Sequence, residues 1–166
     1  MLFSVNKGNL VVNGGFEQGL AGWAGHCNVG LVGSAFSHEG LVAAALGKPD
    51  NLLEASIYQD VCISPKRTYI FRFFVAGVSS NPADLTADVL WLDSCGNVIC
   101  SALDCSIFVP GATTGPACRG GYKAIVAYTE RAPFSASAAR ILFYKAQGEV
   151  CDNFVLLDDV MFQEQC

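Results

Sequence analysis

The chain has 166 residues, 52% hydrophobic and 15% charged, with a formal net charge of −5. One domain of this length buries roughly 68–70% of its unfolded surface, so a core forms without metal or disulfide support, and the low charge excludes a disordered segment. Ten Lys and Arg against fifteen Asp and Glu, with no basic run, exclude a phosphate-directed nucleic-acid binder; no stretch reaches the roughly 20 apolar residues of a membrane-inserted helix.

In chain order, residues 1–8 read as a short arm ahead of one domain over 9–166. Met1-Leu2-Phe3-Ser4-Val5-Asn6-Lys7 has neither the basic start nor the apolar run of a secretory signal. A strand is expected at 10–12, before the turn Asn13-Gly14-Gly15. Further strands are expected at 27–32, at 41–46 after the loop Ser37-His38-Glu39-Gly40, at 55–63 with strict alternation, and at 69–78. Apolar runs at 85–92 and 98–107 flank Asp93-Ser94-Cys95-Gly96-Asn97, a hairpin signal. Runs at 122–129, 138–144 and 154–162 complete nine or ten strands, with no crossover helices. The pattern predicts an all-β, antiparallel β-sandwich. A mean hydropathy of +0.37 is high for a monomer, and points to a large core or to apolar surface covered by a partner.

Eight cysteines are present: Cys27, Cys62, Cys95, Cys100, Cys105, Cys118, Cys151 and Cys166. None forms the C-x₂-C pair of a zinc site, so the expectation is disulfides, within the chain or between chains. Eight cysteines allow 105 complete pairings, and spacing alone selects none of them.

Side chains suited to chemistry are few. In Val155-Leu156-Leu157-Asp158-Asp159-Val160, strand alternation puts one Asp on the core side and the other towards solvent. A carboxylate on the inner face needs a cation or several hydrogen bonds. Glu17, directly after Phe16, poses the same problem near the other end of the chain. If the first and last strands pair, Glu17 and Asp158 come together, and either a calcium ion or a set of loop amides satisfies them. His26 and His38 are isolated, no nucleophile–base spacing is evident, and no catalytic role is expected. The aromatic candidates for stacking on a sugar ring are Trp23, Tyr58, Trp91 and Tyr128; packing in the core is the competing role for each.

The segment Asn9-Leu10-Val11-Val12-Asn13-Gly14-Gly15-Phe16-Glu17, followed by Gly19-Leu20-Ala21-Gly22-Trp23, resembles the opening of family 4/9-type carbohydrate-binding modules of the galactose-binding-like kind. Leu156-Leu157-Asp158-Asp159-Val160 is similar to the end of the same fold. The resemblance implies a jelly roll and a structural calcium held by Glu17 and Asp158, with Asp159 beside them. Over more of the chain, Ser37-His38-Glu39-Gly40-Leu41-Val42-Ala43-Ala44, Tyr58-Gln59-Asp60-Val61, the stretch from Pro65 to Phe73 and the Asp-Asp strand resemble a Firmicutes domain found N-terminal to collagen-like repeats of spore-surface proteins. No Gly-X-Y tract occurs in these 166 residues, and the cysteines lie outside the shared motifs.

Taken with the cysteines, this resemblance implies a self-assembling structural subunit of a disulfide-stabilised fibre or layer on a spore surface or extracellular appendage. Copies of the chain would join by strand addition of the arm residues Met1, Leu2, Phe3 and Val5, by interchain disulfides, or by both. Its partners would be further copies, spore-surface proteins or glycans. The alternative is a non-catalytic carbohydrate-binding module with a structural calcium.

Overall fold

The computed structural model describes residues 8–48, 50, 52–77, 83–112, 121–148 and 154–165. The arm residues Met1, Leu2, Phe3 and Val5 lie outside the described residues, as do Cys118, Cys151 and Cys166.

Alternation of apolar and polar residues builds two antiparallel sheets. The first joins β1 (Ala24–Cys27), β4 (Ala55–Cys62), β10 (Ala138–Lys145), β6 (Leu85–Leu92) and β7 (Val98–Ser101) in that order, with β8 (Ile107–Val109) also paired to β6. The second runs β2 (Val29–Gly33), β3 (Val42–Leu46), β11 (Val155–Glu164), β5 (Tyr69–Gly77) and β9 (Lys123–Tyr128). In β4, Ala55, Ile57, Gln59 and Val61 are buried while their neighbours are not, the period of two expected of a strand with one wet face. The inner faces meet through aromatic rings. Phe73 of the second sheet meets Phe143 of the first edge-on at 5.0 Å, and Tyr69 of the second meets Trp91 of the first edge-on at 5.8 Å. Each such pair contributes about 0.5–1.5 kcal/mol beyond its buried area. The all-β antiparallel sandwich (jelly roll) is the observed architecture.

Three expected strands differ. Residues 10–12 form no strand, because the Asn9 side chain takes the ladder's place. Its Oδ1 accepts from the amides of Val11 and Phe162, and its Nδ2 donates to the Val160 carbonyl. The run at 27–32 is broken at Asn28, whose φ of 52° turns the chain from β1 in the first sheet to β2 in the second. Asn tolerates this left-handed conformation better than most residues. The run at 98–107 becomes β7 and β8, because Ala102 and Leu103 tuck into the core between them. The 93–97 hairpin is found: Asp93 Oδ1 accepts from the amides of Cys95 and Asn97, and these bonds hold the carboxyl below its ordinary range.

Candidate functional site

The segment from Asn13 to Trp23 is a built loop. Asn13 Nδ2 donates to the Gly19 and Ala21 carbonyls, and Trp23 Nε1 donates to the Asn13 carbonyl. Phe16 is fully buried and stacks on Trp23 at 5.2 Å. Gly14 is required by close approach: a Cβ there would sit 2.1 Å from the Val160 carbonyl oxygen.

This loop and β11 deliver two carboxylates to the same segment, 38–42. Glu17 Oε1 accepts from the amides of Leu41 and Val42 at 2.8 and 3.0 Å. Asp158 Oδ2 accepts from His38 N at 2.9 Å and Glu39 N at 3.4 Å, and its Oδ1 accepts from Asp159 N. Asp159 Oδ2 lies 2.6 Å from His38 Nδ1. Glu17, Asp158 and Asp159 thus meet one loop, and loop amides satisfy the first two. The oxygen donors suit a hard cation, but among the described residues no group of three or more His, Cys, Asp and Glu side chains is arranged to hold a metal ion. Backbone carbonyls would have to supply the rest of a sphere of six to eight oxygens.

The expectation that one Asp lies on the core side is corrected. Asp158 is 0% exposed, yet its cross-strand partner is Phe74, which alternates with the core residues Phe73 and Val75. Asp158 therefore lies on the outer face of the second sheet, beneath His38 and Glu39. The cause is a register shift between Asp158 and Met161, with Asp159 at a φ of 47°. Before it Val155 and Leu157 face the core; after it Val160 and Phe162 do. Burial, together with the Asp159 charge, pushes the Asp158 carboxyl up to about 6, against the amide bonds. Beside it a cleft of about 430 Å³ is lined by Asn9, His38, Arg72, Phe74, Asp159 and Met161. The His38 ring lies flat on Phe74 at 3.8 Å, and Tyr122 meets it edge-on. Burial and the two Asp charges push the Tyr122 phenol up.

The four candidate glycan contacts do not converge. Trp23 (5% exposed) and Trp91 (1% exposed) are core side chains, which removes them as stacking platforms. Trp23 is covered by Phe16 and Phe143, and Trp91 by Tyr69. Tyr128 is 62% exposed, on the outer face of the second sheet in edge strand β9. Tyr58 is on the outer face of the first sheet, with the Arg140 guanidinium 4.2 Å over its ring and the Gly25 backbone against its edge.

Around Tyr58 the first sheet presents side chains that sequence reasoning missed. Tyr144 pairs with Thr86, and Thr86 pairs with Phe108, so three adjacent strands place them in one row. Tyr144 is 38% exposed and Phe108 60%. Arg140 Nε and Nη2 donate to the two oxygens of Asp60 at 2.7 and 2.8 Å. Asp88 accepts from Ser101 and Ser106, and Glu54 from the Tyr144 hydroxyl. The signal was in the alternation: Phe143 inward fixes Tyr144 outward, and Val109 inward fixes Phe108 outward.

No protein-family model matches the sequence, and no curated protein matches it. Solved structures do. The enzymatically active domain of bacteriophage CBA120 tailspike protein 4 is 17% identical with a TM-score of 0.70, over 95% of this chain and 21% of that one, so the chain spans about a fifth of that domain's length. TmCBM61, solved in complex with β-1,4-galactotriose, is 20% identical with a TM-score of 0.62, over 95% of this chain and 99% of that one. The CBM22-1 xylan-binding domain of Paenibacillus barcinonensis Xyn10C is 15% identical with a TM-score of 0.59, over 97% of each chain. At these identities the likeness is one of fold: the chain has the jelly-roll fold of carbohydrate-binding modules.

Proposed function

We propose that the chain is a non-catalytic carbohydrate-binding domain that takes a glycan chain on the outer face of the first sheet. The observation that carries this reading is the Tyr144–Thr86–Phe108 row. Two exposed rings stand two strand spacings apart, about 10 Å, on the scale of two pyranose rings. Beside them Asp88, Asp60 and Arg140 offer the planar donors and acceptors that vicinal hydroxyls need. The face carries Glu54, Asp60 and Asp88 against Arg140, so it favours neutral glycans over uronate-rich ones. Its fold, shared with modules whose names state galactotriose and xylan binding, supports the reading.

The test is calorimetric titration with soluble galactan, xylan and mixed-linkage glucan. At least one binds, and Tyr144→Ala and Phe108→Ala each weaken it about tenfold or more, about 1.4 kcal/mol, as expected for the loss of a ring that covers one face of a sugar. Unchanged affinity in both variants, or no binding by any of the three, overturns the assignment of this face. Calcium at Glu17 and Asp158 is part of the same proposal; a cation there would offset the burial of the Asp158 charge. A spore-surface or extracellular location is proposed on the sequence resemblance alone.

A further inference from the structure

We propose that copies of this chain are joined side by side by disulfides between the two opposite edges of the first sheet. Cysteine is among the residue types most often buried. Here all five described cysteines, Cys27, Cys62, Cys95, Cys100 and Cys105, are exposed and unpaired. Packing does not account for them. Metal binding does not either: among the described residues no group of three or more His, Cys, Asp and Glu side chains that includes a cysteine is arranged to hold a metal ion.

Their placement is one-sided. Every one lies on a strand or connection of the first sheet, and the strands of the second sheet hold none. They also fall into two groups. Cys27 is on the edge strand β1. Cys62 ends β4, beyond the stretch from Ser56 to Tyr58 that β1 covers. At the opposite edge, Cys95 is in the β6–β7 turn, Cys100 is in β7 and Cys105 lies between β7 and β8.

Cys62, Cys95 and Cys100 lie at one end of the sheet, whereas Cys27, opposite Ser56 in the row of Tyr144 and Thr86, lies at the other. Cys62 pairs with Ala138, Ala138 with Leu92, and Leu92 with Val98, one row crossing the sheet; Cys100 is opposite Trp91, next to it. Shifting one copy sideways brings its Cys62 side against the β7 edge of the next. All four residues of β7 are exposed, so its outer edge is open to a further strand. Cys62, after the core-facing Val61, is on the outer face and Cys100, opposite the core-facing Trp91, is on the inner one, so the thiol placed to meet Cys62 is Cys95, in the turn at that end, with the Cα atoms about 4.4–6.8 Å apart in the disulfide. The occupant of this edge is a second copy, because what a thiol bonds to here is another thiol. The contact is heterologous: it uses a different patch on each copy and repeats without closing, which gives a ladder rather than a dimer. It leaves the outer face of the first sheet free.

The oxidant is a small-molecule disulfide. A thiolate of one copy attacks it, forms a mixed disulfide and releases one small thiolate. A thiolate of the neighbour then attacks the mixed disulfide, forms the S–S bond between copies and releases the second. Two cysteine thiols lose two protons and two electrons, and the reagent's S–S bond is reduced to two thiols.

The experiment incubates the reduced full chain with oxidised glutathione and runs it on a non-reducing gel. The expected result is a ladder that collapses with dithiothreitol. It is lost in Cys27→Ser/Cys62→Ser and, separately, in Cys95→Ser/Cys100→Ser/Cys105→Ser. The two variants mixed give a covalent dimer and nothing longer. Peptide mapping of that dimer finds a Cys95 peptide joined to a Cys62 peptide. Far-UV circular dichroism shows each variant folded, as expected for exposed positions. A monomer after oxidation overturns the proposal, as does a ladder that persists in either variant or a mixture that forms higher rungs.

Discussion

At Asp158 burial and charge oppose each other. The side chain has no exposed surface, takes three backbone amides, and sits beside Asp159, His38, Glu39 and Tyr122. Its carboxyl is pushed up to about 6 from an ordinary 3.8, so the calcium-free folded state binds more protons than the unfolded chain between those values. Stability from this group is therefore fully present below about pH 4 and is lost as pH rises through 6, on the order of 2 kcal/mol. A calcium ion on the same carboxylate reverses the sign, since protons then compete with the ion. Melting temperatures at pH 5 and pH 7 distinguish the two. With chelator, the Asp158 contribution favours pH 5, and Asp158→Asn flattens the difference. With millimolar calcium the order inverts. A pH response that calcium leaves unchanged would remove calcium from Glu17 and Asp158.

At the scale of elements, the sequence pattern reads strand existence well and strand facing poorly. Residues 85–92 are a strand at the expected bounds, and the 93–97 turn follows from Asp93 and Gly96. Alternation carries period but not phase, and a single residue at positive φ resets the phase. Asn28 does so at the corner between the sheets, and Asp159 does so inside β11. Nothing in Leu157-Asp158-Asp159-Val160 distinguishes the inserted residue from its neighbours, so the outer-face position of Asp158 was not legible. The expected route for bringing Glu17 and Asp158 together, a first strand at 10–12 paired with the last, is absent; the two carboxylates instead accept from different amides of one segment, 38–42. The Tyr144–Thr86–Phe108 row was not legible either, because Trp23 and Trp91 are larger and more conspicuous than Tyr144 and Phe108, and their size is what the core uses. The bulge gives a prediction at this scale. Deleting Asp159 removes the inserted residue and leaves Val160 and Phe162 facing the core, opposite Phe73 and Phe71, whereas deleting Met161 keeps the bulge and turns Phe162 outward. The protein is expected to keep cooperative thermal unfolding without Asp159, as in Asp159→Gly, which accepts positive φ, and to lose it without Met161.

At the scale of the whole molecule, the two sheets carry different tasks. The second holds the 38–42 segment, bound by Glu17 and Asp158, against its outer face and supplies four of the eight buried aromatic rings among the described residues, Tyr69, Phe71, Phe73 and Phe162. The first has an outer face with the Tyr144–Thr86–Phe108 row and edges that carry thiols. If copies join at those edges, the faces proposed to bind glycan lie on one side of the assembly, and a polysaccharide chain would meet several at once. A second site then binds at an effective concentration set by the linkage rather than by bulk protein, which raises avidity by a factor of about 10²–10⁴ when the geometry permits. Retention on an insoluble neutral polysaccharide measures this. Oxidised protein is expected to elute far later than reduced protein, and Phe108→Ala to abolish the difference while leaving the covalent ladder intact. Equal retention before and after oxidation, with a ladder present, would mean that the linked copies face different ways and that the edge contact rotates successive sheets out of plane.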